Sequence, residues 1–214
     1  MRIVILGPPG SGKGTRARIL GEICDVPVIT TGDMLRRAVK RGDEVGEVAK
    51  GYMDRGELVP DGVVNRIMRK RLEEPDAKRG FILDGYPRST AQADALDDVL
   101  EKRCQSLDHV IYVEVGDETI IRRLSNRRVC PECGEIYNLR SKPPKESGVC
   151  DMCDSQLIQR DDDRPDVIRR RLKVYRRKTE PLLERYRERG LIDRVSGDVK
   201  PEEIPDTLRG VVEC

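Results

Sequence analysis

Short, almost wholly apolar runs alternate along the chain with longer segments of mixed polarity, a pattern that predicts buried parallel strands alternating with helices. The strand candidates are Arg2 to Leu6, Pro27 to Ile29, Phe81 to Leu83, His109 to Val115 and Leu191 to Val195. Helices are predicted from Lys13 to Ile23, Asp61 to Leu72, Ser89 to Arg103, Asp117 to Arg127 and Asp166 to Arg189. Local punctuation agrees: Pro75 follows one helix, Ser89 and Gln92 form a capping box, Asp117 suits an N-cap, and Pro181 would bend the last segment. Such alternation specifies an α/β fold in which five parallel strands are covered by helices on both faces, a three-layer sandwich.

Two segments do not fit that core. Residues 30–59 hold polar, Gly-punctuated helical pieces, and residues 128–159 hold prolines, glycines and most of the cysteines. Both read as insertions at strand ends. Ligands of open α/β sheets bind beyond the carboxyl ends of the strands, so insertions there are placed to close over a substrate.

Composition narrows the function class. Charged residues make up 37% of the 214 positions but the net charge is only +2, so no bulk field draws the protein to nucleic acid. No apolar stretch approaches the ~20 residues needed to cross a bilayer, and the N-terminus leads into a strand with no secretory pattern, so a soluble cytoplasmic protein is expected.

The most informative chemistry follows the first strand. Gly7 to Thr15 read Gly-Pro-Pro-Gly-Ser-Gly-Lys-Gly-Thr, a glycine-rich turn between strand and helix. Successive backbone N–H groups in such a turn point at one anion, the helix start adds its positive dipole end, and Lys13 adds a full charge. A nucleoside triphosphate is the expected guest. The general phosphate-loop pattern places Ser or Thr directly after the lysine to hold magnesium, whereas Gly14 stands there and Thr15 follows. The metal is therefore expected to be gripped mainly by phosphate oxygens and water. Asp84, ending an apolar strand beside the cradle, is placed to hold a metal-bound water.

Cys130, Cys133, Cys150 and Cys153 form two Cys-x2-Cys turns separated by sixteen residues. Two such turns complete the tetrahedron of a closed structural zinc site, which leaves no coordination position for chemistry. Packing by Ile136, Tyr137, Leu139 and Leu157 is expected to assist the metal in ordering the lobe. Cys24, Cys104 and Cys214 lack that spacing and read as a core thiol, a helix residue and a loose terminus. A nucleic-acid-binding zinc module would show exposed aromatics and a basic face. Here Tyr137 is the one aromatic of the lobe and its bases are mixed with acids, so it reads as a cover.

Taken together, the phosphate loop at 7–15, Thr31-Gly32-Asp33-Met34-Leu35-Arg36, Gly56-Glu57-Leu58-Val59-Pro60-Asp61, Asp84-Gly85-Tyr86-Pro87-Arg88 with Gln92, the cysteine quartet and Arg160-Asp161-Asp162-Asp163 resemble the adenylate kinases with a zinc-containing lid. The resemblance spans essentially the whole chain. It implies a core of residues 1–29, 60–126 and 160–214, a small helical AMP-binding insertion at 30–59 and a zinc-bearing lid at 127–159. It implies reversible transfer, ATP plus AMP to two ADP, with magnesium, by a monomer with no nucleic-acid or membrane partner. By position, Gly10, Ser11, Gly12, Lys13, Gly14 and Thr15 would hold the donor phosphates. Arg127, Ile136 and Tyr137 would approach the donor from the lid, and Val199 would meet its adenine. Thr31, Arg36, Glu57, Leu58, Val59, Gly85, Tyr86, Pro87, Arg88 and Gln92, with Arg160 and Arg171, would form the AMP site. Lys13, Arg88, Arg123, Arg160 and Arg171 would surround the transferring group, with Asp84 anchoring magnesium through water.

Overall fold

In the computed structural model, which describes residues 1–212, each apolar run becomes a strand within a residue or two of its predicted limits. The chain begins β1 (Arg2–Leu6), α1 (Lys13–Cys24), β2 (Val28–Thr30), α2 (Thr31–Arg41), α3 (Glu44–Asp54) and α4 (Asp61–Leu72). It continues β3 (Phe81–Asp84), α5 (Thr90–Glu101), β4 (His109–Glu114), α6 (Asp117–Ser125), β5 (Arg127–Val129) and β6 (Ile136–Asn138). Last come α7 (Pro165–Lys178), α8 (Leu182–Glu188), β7 (Ile192–Ser196) and α9 (Ile204–Arg209).

Five strands pair in the order β2-β3-β1-β4-β7, all parallel. Alternate strand residues feed opposite cores because successive side chains leave a strand on opposite faces. Val4, Leu6, Phe81, Leu83, Val110 and Tyr112 pack on one side against Met68 and Leu72 of α4, Leu96 of α5 and Tyr186 of α8. Ile3, Ile5, Ile82, Ile111 and Val113 pack on the other against Ala17 and Leu20 of α1 and Ile204 and Leu208 of α9. This is the expected three-layer sandwich. The helix after β1 thus lies on one face and the helix after β3 on the other, so the loops leaving these neighbouring strands diverge. A crevice opens between them at the carboxyl edge of the sheet.

Several local expectations need correction. Ser89 caps α5 by accepting from the Gln92 N–H at 3.2 Å, but the Gln92 side chain does not return the bond. Its Oε1 accepts from the Arg88 N–H at 2.8 Å and its Nε2 donates to Asp61 Oδ1 at 2.7 Å. Gly116, not Asp117, is the N-cap of α6, and Asp117 lies in the first turn beside the helix dipole. The segment after Asp166 is two helices rather than one bent helix, broken between Thr179 and Pro181. Cys104 sits in a turn with φ 53°, outside α5. Cys24 is disulfide-bonded and so is not the free core thiol expected; Cys214 lies outside the described residues.

The segment 30–59 forms α2 and α3, packed on each other and joined to the core through Leu35, Ala49 and Val59. The cysteine-bearing segment is built on the antiparallel pair β5–β6, with further bridges Val129–Ile158 and Val149–Gln156. It has its own small cluster of Cys130, Tyr137 and Cys150, against which Leu157 packs. Ile136 and Leu139 were expected to contribute, yet they are 45% and 43% exposed. In a strand as short as β6, alternation puts Tyr137 inside and its neighbour Ile136 outside.

Candidate active site

The phosphate loop lies flat on the carboxyl edge of β1. At Gly10, with φ 79°, an added Cβ would come within 2.8 Å of Leu124 Cγ, so only glycine lets the loop sit this low over α6. Gly12 caps α1 with no side-chain bond, and the first turn carries no acid. The leading N–H groups and the positive helix end are therefore left for an anion. Lys13 folds back over the turn, its Nζ donating to Gly7 O at 2.7 Å and Pro8 O at 2.8 Å. Buried Ser11 completes the rim, and a Cβ at Gly14 would stand 3.4 Å from Asp84 Oδ2. Gly14 thus sets the first turn of α1 beside the Asp84 carboxylate, with only the width of a side-chain contact between them.

Asp84 is brought there by register: it pairs with Ile5 of β1 and Thr30 of β2 at the end of β3. Burial pushes its carboxyl up, while Lys13 and Arg88 draw it back down. For Lys13, burial is the main cause of a pKa pulled down to about 7; Asp84 opposes the shift, and Arg88, Arg171 and Arg127 add to it.

The arginines converge from five separate segments, with Arg36 on α2, Arg88 after β3, Arg127 on β5, Arg160 between β6 and α7, and Arg171 on α7. Arg88 is fixed by its Nε donating to Gly85 O at 2.9 Å, and Gly85 has φ 84° with room for no Cβ, since one would lie 2.7 Å from Arg88 Nη2. Arg127 grips Asp163 with two parallel bonds of 2.7 and 2.6 Å. Arg171 donates to Asp162 O at 2.9 Å and lies 3.2 Å from Asp163 Oδ1. Burial pulls Arg160 down to about 10, with Arg36 and Arg127 adding to the shift. Burial also pushes the Asp162 carboxyl up, but Arg171, Arg127, Arg36 and Arg160 outweigh it and hold the group below its ordinary value.

Arg123 lies apart from this cluster: its Nη2 donates to Gly197 O at 2.9 Å and to Asp198 Oδ1 at 3.2 Å, in the turn after β7 that also carries Val199. Arg127 lies beside Arg160 and Arg171. Arg123 lies within α6 and is aimed along the helix toward β7, whereas Arg127 lies beyond the helix end, where the chain turns toward Asp163. Asp163 itself is wholly buried. Its carboxylate is shared between Arg127 and Arg171 rather than left to solvent.

The expected acceptor residues lie on α2, in the loop before α4, and in the loop and first helical turn that follow β3. Thr31 is buried at the start of α2 with its Oγ1 3.5 Å from Met68 Sδ, and Arg36, one turn on, pairs with Asp33 at 2.5 Å. Val59, Gly85, Tyr86, Pro87 and Gln92 are buried and Leu58 is half-buried. Tyr86 satisfies its hydroxyl by donating to Asn65 Oδ1 at 3.0 Å. Glu57 is exposed and pairs with Arg55 at 3.1 Å. The Ile136–Tyr137 pair is split, Ile136 facing outward and Tyr137 inward, where its hydroxyl accepts from the Asp151 N–H at 2.8 Å.

The four cysteine sulfurs lie within 4.8 Å of one another, with Cys130–Cys153 at 3.4 Å and Cys133–Cys150 at 3.5 Å. A tetrahedron with Zn–S bonds of ~2.3 Å has edges of roughly 3.8 Å. The quartet fits zinc without rearrangement of the two turns. No helix among the described residues is long and apolar enough to cross a membrane.

The site gathers six cations, Lys13, Arg36, Arg88, Arg127, Arg160 and Arg171, against the acids Asp33, Asp84, Asp162 and Asp163. Buried positive charge in excess of its partners is costly until an anion enters. A family model described as adenylate kinase matches residues 5–191. An adenylate kinase of Archaeoglobus fulgidus is 47% identical over 213 residues, covering 100% of this chain and 98% of its own. One of Thermosipho melanesiensis is 49% identical over 212 residues, covering 99% of each chain. One of Thermotoga petrophila is 50% identical over 198 residues, covering 92% of this chain and 90% of its own.

Proposed function

We infer the roles of individual residues from one premise: the chain belongs to the adenylate kinase family and is a phosphotransferase catalysing ATP + AMP = 2 ADP. Transfer of a phosphoryl group asks little covalent chemistry of a protein; positioning two nucleotides in line and neutralising charge on the moving oxygens account for most of the catalysis. The excess of buried guanidinium around Lys13 is the observation that carries this reading.

In it, Gly10 to Thr15 hold the donor phosphates, and Lys13, Arg88, Arg127, Arg160 and Arg171 surround the transferring group. Arg123 and Val199 lie at the donor's base, and Arg127 takes the phosphate role first expected of Arg123. Thr31, Arg36, Glu57 to Val59, Gly85 to Arg88 and Gln92 hold AMP, where Gln92, already fixed by Asp61 and Arg88, presents an amide edge near the acceptor. Magnesium entering with ATP would spread charge over the bridging phosphate oxygens, and Asp84 would orient its water shell beside Gly14. Zinc would hold the cysteine quartet and take no part in transfer. Residues 30–59 and 127–159 act as two covers that exclude water, which would otherwise compete with AMP for the donor.

The near-balanced net charge of +2 and the inward-turned Tyr137 support the absence of a nucleic-acid partner. The proposed setting is cytoplasmic, and no helix among the described residues is built to cross a membrane; no second copy is needed to complete the site, in keeping with a monomer. The test is direct. Purified protein given ATP, magnesium and one monophosphate at a time should form ADP with AMP far faster than diphosphates with CMP, UMP or GMP. Natively folded protein that forms no ADP from ATP and AMP would overturn the assignment.

A further inference from the structure

Arg16, in the first turns of α1, is a charged group that the transfer as described does not use. It is only 3% exposed, although it follows directly on the phosphate loop. Its Nη2 donates to Ser196 O at 2.6 Å, joining the first turn of α1 to the last residue of β7, where the following turn begins. Its Nη1 would lie 2.8 Å from a Cβ at Gly12, so the guanidinium is pressed against the N-cap of α1, behind the phosphate cradle.

The turn it holds is fixed at neighbouring residues too. Arg123 donates to Gly197 O and Asp198 Oδ1. Gly197 itself abuts the cradle, since a Cβ there would stand 3.1 Å from Ser11 O and 1.9 Å from Val115 Cγ2. The same edge borders an open depression of about 340 Å³ lined by Val115, Gly116, Ser196 and Asp198 among others. That is room for a heterocyclic base.

We propose that Arg16 is a positioning residue for the donor nucleotide, fixing the Ser196–Val199 turn against the phosphate cradle and so setting the span between the donor's base and its phosphates. This rests on the reading of Val199 as the donor-base contact. One nucleotide is held at two ends by elements more than 180 residues apart in the chain, so fixing one against the other in advance lowers the ordering cost of binding the donor. Packing alone would be served by an apolar side chain. A buried guanidinium set beside a second one, Arg123, is an expensive choice for a filler, and burial followed by Arg123 lowers its pKa accordingly. Its side-chain hydrogen bond among the described residues goes to Ser196 O, at the start of that turn.

Steady-state kinetics of Arg16→Ala and Arg16→Lys test the proposal. The alanine variant should raise KM for ATP about tenfold, the scale of one charge-assisted hydrogen bond, with KM for AMP and kcat changed by less than about twofold. The lysine variant keeps a donor of similar reach and should recover most of the loss. An unchanged KM for ATP, or an equal rise for ATP and AMP, overturns the proposal and leaves Arg16 a structural clamp. If the alanine variant does not fold, Arg16→Gln is read in the same way. Amide resonances of Gly197 to Val199 in the wild-type protein, followed as ATP is added without AMP, separate the two layers of inference. No shift there overturns the donor-base reading itself; a shift together with an unaltered KM for ATP in the alanine variant overturns only the role of Arg16.

Discussion

A lysine enclosed with guanidiniums gives up its proton more easily than one in water, and Lys13 is in that position. Burial, then Arg88, Arg171 and Arg127, bring it down to about 7 despite Asp84. In the free enzyme it is therefore cationic below that pH and increasingly neutral above it. Donor phosphates favour the cationic form and raise the value once bound. The ratio kcat/KM reports groups of the free enzyme, and kcat those of the complex. Hence kcat/KM for ATP should fall as pH rises through about 7, while kcat stays level to clearly higher pH. A kcat/KM for ATP that is flat from roughly pH 6 to 9 would rule this out. Lys13 and the four cysteines were legible in the sequence because short, fixed spacings constrain geometry on their own. Arg123 and Arg127 were given separate roles by resemblance alone, since where each guanidinium lies depends on where α6 ends and, for Arg127, on Asp163, 36 residues further on. Arg16 gave no signal at all, because a charged residue on a helix next to Thr15 reads as solvent-facing until the turn after β7 is folded over it.

Among the elements, the cysteine lobe differs most from the rest in what holds it together. Each face of the sheet has an extended apolar core, whereas the lobe buries Cys130, Tyr137 and Cys150 with Leu157 beside them. With Ile136 and Leu139 exposed, less apolar surface supports it than the sequence led one to expect, so more of its order must come from the metal. Structural zinc supplies about 10–16 kcal/mol in small peptides, a large share for so small a cluster. Chelation should therefore strip hydrogen-exchange protection from residues 127–159 while amides of β1, β3 and β4 stay protected. Cys130→Ser should lower the melting temperature of the lobe more than it lowers kcat. Loss of protection in sheet and lobe together would show that the two are one cooperative unit. Strand positions were legible because buried parallel strands are apolar on both faces. Their ends, the half-made capping box at Ser89 and the break before Pro181 were not, because each is decided by a tertiary partner: Asp61 and Arg88 claim Gln92, and Thr179 donates to Arg88 O at 2.8 Å where α7 stops.

At the scale of the molecule, the two insertions meet across the crevice. Lys40 at the end of α2 reaches Glu132 in the first cysteine turn at 3.3 Å, and Arg18 of α1 lies 3.9 Å from Glu135. The two insertions themselves are visible in the sequence as polar, Gly-punctuated segments between strands; these contacts are not, since no sequence spacing relates position 40 to position 132. Their strength decides what drives closure. Lys40 and Glu132 are 70% and 61% exposed, and exposed pairs contribute about 0.2–1 kcal/mol. The buried cations beneath them are a stronger element, because each phosphate that enters relieves repulsion among Lys13, Arg36, Arg88, Arg127, Arg160 and Arg171. Closure should therefore follow the nucleotides rather than the rim. Lys40→Ala is expected to change kcat and both KM values by less than about fivefold, and added salt should weaken nucleotide binding in the variant and the parent alike. A tenfold or larger change in steady-state rate would mean instead that the rim pair governs opening, and with it the release of ADP.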